Sequence, residues 1–100
     1  MKSFQLRQYT LDPAEADTWL PYWRDVMCAR RIEFGFTIEF GYFTPERDRF
    51  IWMVSAELPF EEFRELDERW AVSDQRLSAV AASPVTIQKM ELTYLVPPTA

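Results

Sequence analysis

From Ile32 to Phe43 the apolar side chains recur at every second position. Ile32, Phe34, Phe36, Ile38, Phe40 and Tyr42 share one side, and Glu33, Gly35, Thr37, Glu39 and Gly41 share the other. Alternate residues of an extended chain point to opposite faces, so the spacing predicts one long amphipathic strand with its aromatics on a single side. Thr44-Pro45-Glu46-Arg47-Asp48 has turn chemistry. Arg49–Ala56 then resumes as a strand whose centre, Phe50-Ile51-Trp52-Met53-Val54, is apolar on both faces. A strand of that kind belongs inside a sheet, so the two strands read as an antiparallel hairpin with the second one central.

On each side of the hairpin stand one strand and one helical stretch. Phe4–Leu11 alternates, with Phe4 and Leu6 facing one way and Gln5, Arg7 and Tyr9 the other. Asp12-Pro13-Ala14-Glu15 is a helix start, with a capping carboxylate, a proline at the first helical position and a glutamate three residues on. Ala16, Leu20, Trp23, Met27 and Arg30 continue it at helical spacing. Pro21 removes the amide that would bond back to Asp17, so a kink or a later start near Thr18 is expected. After the hairpin, Phe60, Phe63, Leu66 and Trp70 make a second helical face, with Glu61, Glu62 and Glu65 in its first turns. Val72-Ser73-Asp74 breaks that helix, and Leu77 and Val80 belong to a short continuation capped by Ser73. Val85–Val96 alternates again, Met90, Leu92 and Tyr94 opposite Lys89, Glu91 and Thr93, until Pro97-Pro98 stops it.

The order β-α-β-β-α-β predicts one α+β domain over residues 1–100. Right-handed crossovers give it a ferredoxin-like four-stranded antiparallel sheet, order 4-1-3-2, with two helices on one face. The other face is left open, and the edge of strand two carries neither Pro nor Lys to blunt it. Both features call for a second copy of the chain.

Charge and missing residue types narrow the function. The net charge of −5 and the absence of any basic run beyond Arg30-Arg31 argue against nucleic acid and anionic membranes as partners. A lone Cys28 and an opening Met1–Arg7 without an apolar leader core point to the cytoplasm. There is no histidine, which excludes His-liganded haem, His-containing zinc sites and His-activated nucleophiles. No glycine-rich phosphate loop occurs either, so no cofactor or metal is expected. Cys28 sits late in its helix, away from the end that lowers a thiol pKa, and reads as packing.

The run Phe4-Gln5-Leu6-Arg7-Gln8-Tyr9-Thr10-Leu11-Asp12-Pro13 resembles the first strand of the NIPSNAP family, an apolar-x-Leu-Arg-x-Tyr-x-Leu-x-Pro pattern whose distinctive part is Leu-Arg-x-Tyr. The Trp19–Trp23 segment and Phe50-Ile51-Trp52 are similar to the helix and the Trp-bearing strand of that family. Ala14 stands where the family often has glycine, which suits helix initiation. The resemblance implies membership of the dimeric α/β-barrel superfamily, in which two ferredoxin-like subunits face their sheets together around a small cavity. Cofactor-free monooxygenases, haem-degrading enzymes and proteins without an agreed reaction share that superfamily.

If Phe34, Phe36, Ile38, Phe40, Met90, Leu92 and Tyr94 lie under the helices, the face left for the partner carries Gln5 together with Arg7, Tyr9, Thr37, Glu39, Glu91 and Thr93. The last six are the candidate ligand-binding residues. Arg7 would grip an anionic or carbonyl group while Tyr9 donates a hydrogen bond. Glu91, on the neighbouring strand, is the natural ion-pair partner of Arg7, and Glu39 is a second acceptor. A structural ion pair is the commoner outcome for such a couple, and acid–base work by Glu33, Glu39 or Glu91 is rarer still. Three readings stay open: a homodimer binding a small molecule in the barrel cavity, a cofactor-independent monooxygenase or related enzyme acting there, or a dimer with a purely structural, partner-binding role.

Overall fold

The computed structural model describes residues 1–99. Four strands, β1 (Ser3–Thr10), β2 (Thr37–Phe43), β3 (Arg49–Ala56) and β4 (Lys89–Leu95), form one sheet in the order β2-β3-β1-β4. Every neighbouring pair is antiparallel. This is the predicted 4-1-3-2 order. The helix layer begins with a continuous rod. A 3₁₀ turn (Pro13–Glu15), α1 (Ala16–Tyr22), a π turn (Trp23–Met27) and α2 (Cys28–Phe34) follow one another without a break. Then come α3 (Phe60–Ala71) and α4 (Asp74–Ala81).

The local signals at the helix starts hold. Asp12 caps the rod by accepting from the Ala14 amide at 2.9 Å. The Ser73 hydroxyl accepts from the Arg76 amide at 3.1 Å, starting α4 where the chain leaves α3. Pro21 does not delay the helix. The rod takes it within α1 and widens just after it, the Cys28 amide reaching back to the Trp23 carbonyl. A π turn spends one extra residue, which moves the buried stripe on by one. Arg31 is therefore the buried position, and Arg30 is exposed.

Strand two starts later than its alternation predicts, and Ile32 and Phe34 end α2 instead. Gly35 stops that helix at φ 120°, a conformation that costs glycine little. The Phe36 amide bonds to the Arg31 carbonyl at 3.0 Å and the Gly35 amide to that of Ile32 at 3.1 Å. This is a Schellman closure, and it places Phe36 over the Arg31 guanidinium, 4.7 Å from ring centroid to Cζ. A second departure lies inside β2. The register slips between Ile38 and Phe40, so a bulge at Glu39 spends one residue and turns the rest of the strand over. Ile38 stays on the helix side opposite Val54, whereas Phe40 and Tyr42 face the open side opposite Met53 and Ile51.

The largest correction concerns which face of β1 is covered. Ser3, Gln5, Arg7 and Tyr9 are buried under the helices, while Phe4, Leu6, Gln8 and Thr10 are half-buried on the open side. The cause lies in the neighbouring strand. Phe50, Trp52 and Val54 of β3 have no exposed surface and stand opposite Tyr9, Arg7 and Gln5, so the deepest apolar row draws the polar row of β1 in with it. The helix-side core is rich in aromatic rings. Trp19, Trp23, Tyr9, Phe50 and Trp52 meet edge to face at 4.8–5.9 Å.

Gly41 keeps one of those contacts possible. A Cβ there would collide with the Trp23 indole and lie 2.8 Å from Phe50 Cζ. Gly41→Ala is expected to cost about 1–3 kcal/mol by forcing the indole away, read as a lowered thermal midpoint. An unchanged midpoint would contradict this seating of Trp23.

Candidate functional site

Between the helix side of the sheet and the helices lies a cavity of about 180 Å³. Arg7, Tyr9 and Met90 line it from the sheet, Trp19, Tyr22, Met27 and Arg31 from the rod, and Trp70 from α3. Arg76 and Val80 of α4, then Ser83, Val85 and Ile87 of the following segment, complete the wall. Tyr22 ties the rod to α4 by donating to the Ala79 carbonyl, and burial pushes its phenol above the ordinary range.

Arg7 and Tyr9 sit side by side, as residues two apart on a strand do, but beneath the helices and not on the face left for a partner, where the sequence reading places them. Arg7 Nε donates to Tyr9 Oη at 2.9 Å and Nη1 to Gln5 Oε1 at 2.5 Å. Its guanidinium also lies 5.4 Å from the Trp52 ring centroid. Gln5 Nε2 in turn donates to Asp67 Oδ2 at 3.2 Å, and Tyr94 Oη donates to the same oxygen at 2.6 Å. Burial, then this bond, raises the Tyr94 phenol to about 12.

The other four candidates lie elsewhere. Glu91 stands opposite Gln8, and Thr93 opposite Leu6, both on the open side. Arg7 faces Leu92 across that ladder, so the expected Arg7–Glu91 pair does not form. Lys89 holds Glu91 instead at 3.0 Å and keeps its carboxyl below the usual range. Glu39, at the bulge, pairs with Lys2 at 2.8 Å and accepts from Ser55, which lower its pKa as well. Thr37 is exposed opposite Ser55. Both carboxylates are thus engaged by lysines on the far side of the sheet from Arg7.

The residue missed by sequence reasoning is Arg31. It is 1% exposed. Phe36 and Trp70 lie 4.7 and 4.6 Å from its Cζ, covering its guanidinium with aromatic rings. Its one carboxylate contact is Asp67 Oδ1, at 3.8 Å from Nη1. That is outside hydrogen-bond range, and both Arg31 Nε and Nη1 are buried with no hydrogen-bond partner. Burial, then the nearby Arg7 charge, pushes its pKa down to about 9. Gly35 was the available signal, because a glycine at that spacing marks a helix end and puts Arg31 in the last turn.

Among the described residues, the buried side-chain polar atoms without partners are Arg31 Nε and Nη1 and the indole nitrogens of Trp19, Trp23 and Trp52. All are donors, and Arg31 and Trp19 both line the cavity. Among the described residues Asp67 is the one carboxylate within 4.0 Å of any of the three cavity arginines. The site has cations and N–H groups to offer, and no carboxylate among its lining residues. Cys28 adds no nucleophile, since burial raises its thiol to about 12.

No protein-family model matches the chain, and no curated protein is similar to it in sequence. Solved structures do match. A NIPSNAP family protein from Agrobacterium tumefaciens superposes with a TM-score of 0.78 at 15% identity, over 97% of this chain and 93% of the other. A second NIPSNAP family protein of that bacterium, of unknown function, gives 0.79 at 13% over 96% and 87%. A protein from Nitrosomonas europaea provisionally called an antibiotic biosynthesis monooxygenase gives 0.70 at 7% over 97% and 90%. The chain therefore has the ferredoxin-like fold of NIPSNAP family proteins, the fold that the resemblance implies. Among the described residues no helix is long and apolar enough to cross a membrane.

Proposed function

We propose that this protein is a homodimer that binds a small molecule in the cavity between its helices and its sheet. The observation that carries the reading is the buried Arg31, whose Nε and Nη1 find no acceptor beside a partly open, largely apolar cavity. Leaving such donors unmet costs about 1–3 kcal/mol each, more when the group is charged, and a ligand that supplies acceptors removes the cost. The ligand space thus lies inside each protomer, on the helix side, rather than between the two sheets. The homodimer rests on the open face of the sheet, where Phe4, Leu6, Ile51, Met53, Phe40 and Leu95 collect.

Binding is favoured over the cofactor-independent oxygenase reading by the state of the carboxylates. Cofactor-free oxygenation needs a proton acceptor beside the substrate. No carboxylate lines the cavity, and Asp67, 3.8 Å from Arg31, already accepts from Gln5 and Tyr94.

Native mass spectrometry of protein purified without denaturation is expected to show a small organic mass retained by the wild type and absent from Ile87→Trp, whose indole would fill the space. If Ile87→Trp keeps every compound that the wild type binds, from the host or from a fragment library, the cavity is not the site.

A further inference from the structure

We infer that the ligand is a compact organic carboxylate, its apolar body in the cavity and its anionic end on Arg31, with Arg7 as the second cation. The inference rests on the cavity being the ligand site, and it adds the charge and size of the occupant.

Three observations converge. Arg31 and Arg7 put two cations at one wall, and Asp67 is 3.8 Å from the first and already accepts two hydrogen bonds from other groups. A fully buried cation is expensive without a counter-charge in hydrogen-bond contact, and among the described residues none of the cavity's three arginines has a carboxylate that close. The aromatic rings beside Arg31 leave its N–H edges as the place for an acceptor, since a guanidinium donates in its own plane. Beside Arg76 and Ser83 the remaining wall is largely apolar, with Trp19, Met27, Val80, Val85, Ile87 and Met90, which suits a hydrocarbon body. A cavity of roughly 150 Å³ holds a benzene-sized molecule, so about 180 Å³ suits a monocyclic or short-chain acid. Arg7 is already bonded to Tyr9 and Gln5. It contributes field and a remaining donor, while Arg31 makes the direct contact.

Carboxylates and their isosteric amides separate the charge requirement from the shape requirement. Calorimetric titration of wild-type protein with benzoate and hexanoate, and with benzamide and hexanamide, is expected to show each acid binding roughly 10- to 100-fold tighter than its amide. Arg31→Met is expected to erase that preference, and Arg7→Met to reduce it, with melting curves confirming that both variants are folded. Ile87→Trp is expected to remove binding of acid and amide alike. Amides that bind as well as the acids, acids that fail to bind, or a preference that survives in folded Arg31→Met each overturn the carboxylate assignment. Sensitivity to Ile87→Trp would still uphold the cavity as a binding site. Acid binding indifferent to Ile87→Trp would reject the cavity itself. The wild-type comparison of acid with amide decides the matter even if an arginine variant does not fold.

Discussion

Trp52→Ala is expected to lower stability by about 3–5 kcal/mol, the range for deleting a large buried aromatic. For a domain of this size that is a fall in melting temperature on the order of 15 °C or more. Trp52 has no exposed surface and sits mid-β3. Tyr9 packs against it at 5.8 Å and Trp23 at 5.7 Å, both nearly perpendicular. Its ring also lies 5.4 Å from the Arg7 guanidinium and 5.5 Å from that of Arg31. Truncation would open a void and leave both cations with less aromatic surface, so the loss should sit at the upper end of the range. Ile51→Ala, one residue away on the open side and half-buried, should cost clearly less in urea melts at low protein concentration. The reverse order would mean that the covered face of β3 is assigned the wrong way round.

That assignment is where sequence reasoning about this chain reached its limit. The element order, the sheet order, the extent of β3, the Asp12 and Ser73 caps and the break between α3 and α4 were legible, because each rests on local spacing or capping chemistry. Alternation says which residues share a face but not which face is covered. In β1 the apolar Phe4 and Leu6 seemed the natural inner pair. Gln5, Arg7 and Tyr9 went under the helices instead, able to do so because they bond to one another and to Asp67. Polarity is a poor guide to burial when the polar groups satisfy each other. Two single-residue irregularities did the rest. The bulge at Glu39 turned Phe40 over, and the π turn after Pro21 made Arg31, not Arg30, the buried cation. Both spend one residue outside the regular period, and neither leaves a compositional mark. That Arg7 and Tyr9 stand together was legible; the face they occupy, and the buried Arg31, were not.

Leu6→Asp is expected to convert the protein from a dimer to a monomer while leaving the subunit folded. Leu6 lies on the open side of β1, opposite Met53 and Thr93, with Phe4, Ile51 and Phe40 on the same face. The helices cover only the other side of the sheet, so a carboxylate at this position keeps its water in the isolated subunit. A two-fold dimer that faces sheet to sheet would bury it, and symmetry would place a second copy in the same interface. Burying each unpaired charge costs several kcal/mol, and every 1.4 kcal/mol is tenfold in the dissociation constant, so association should weaken by several orders of magnitude. Light scattering after gel filtration would read about twice the 11.9 kDa chain mass for wild type and the single mass for the variant. Urea melts of the variant at low concentration should match those of dilute wild type. A wild type of 11.9 kDa at micromolar concentration would remove the homodimer from the proposal. A variant that stays dimeric would move the interface off this face, to the edge of β2 or to β4, which is exposed along its whole length.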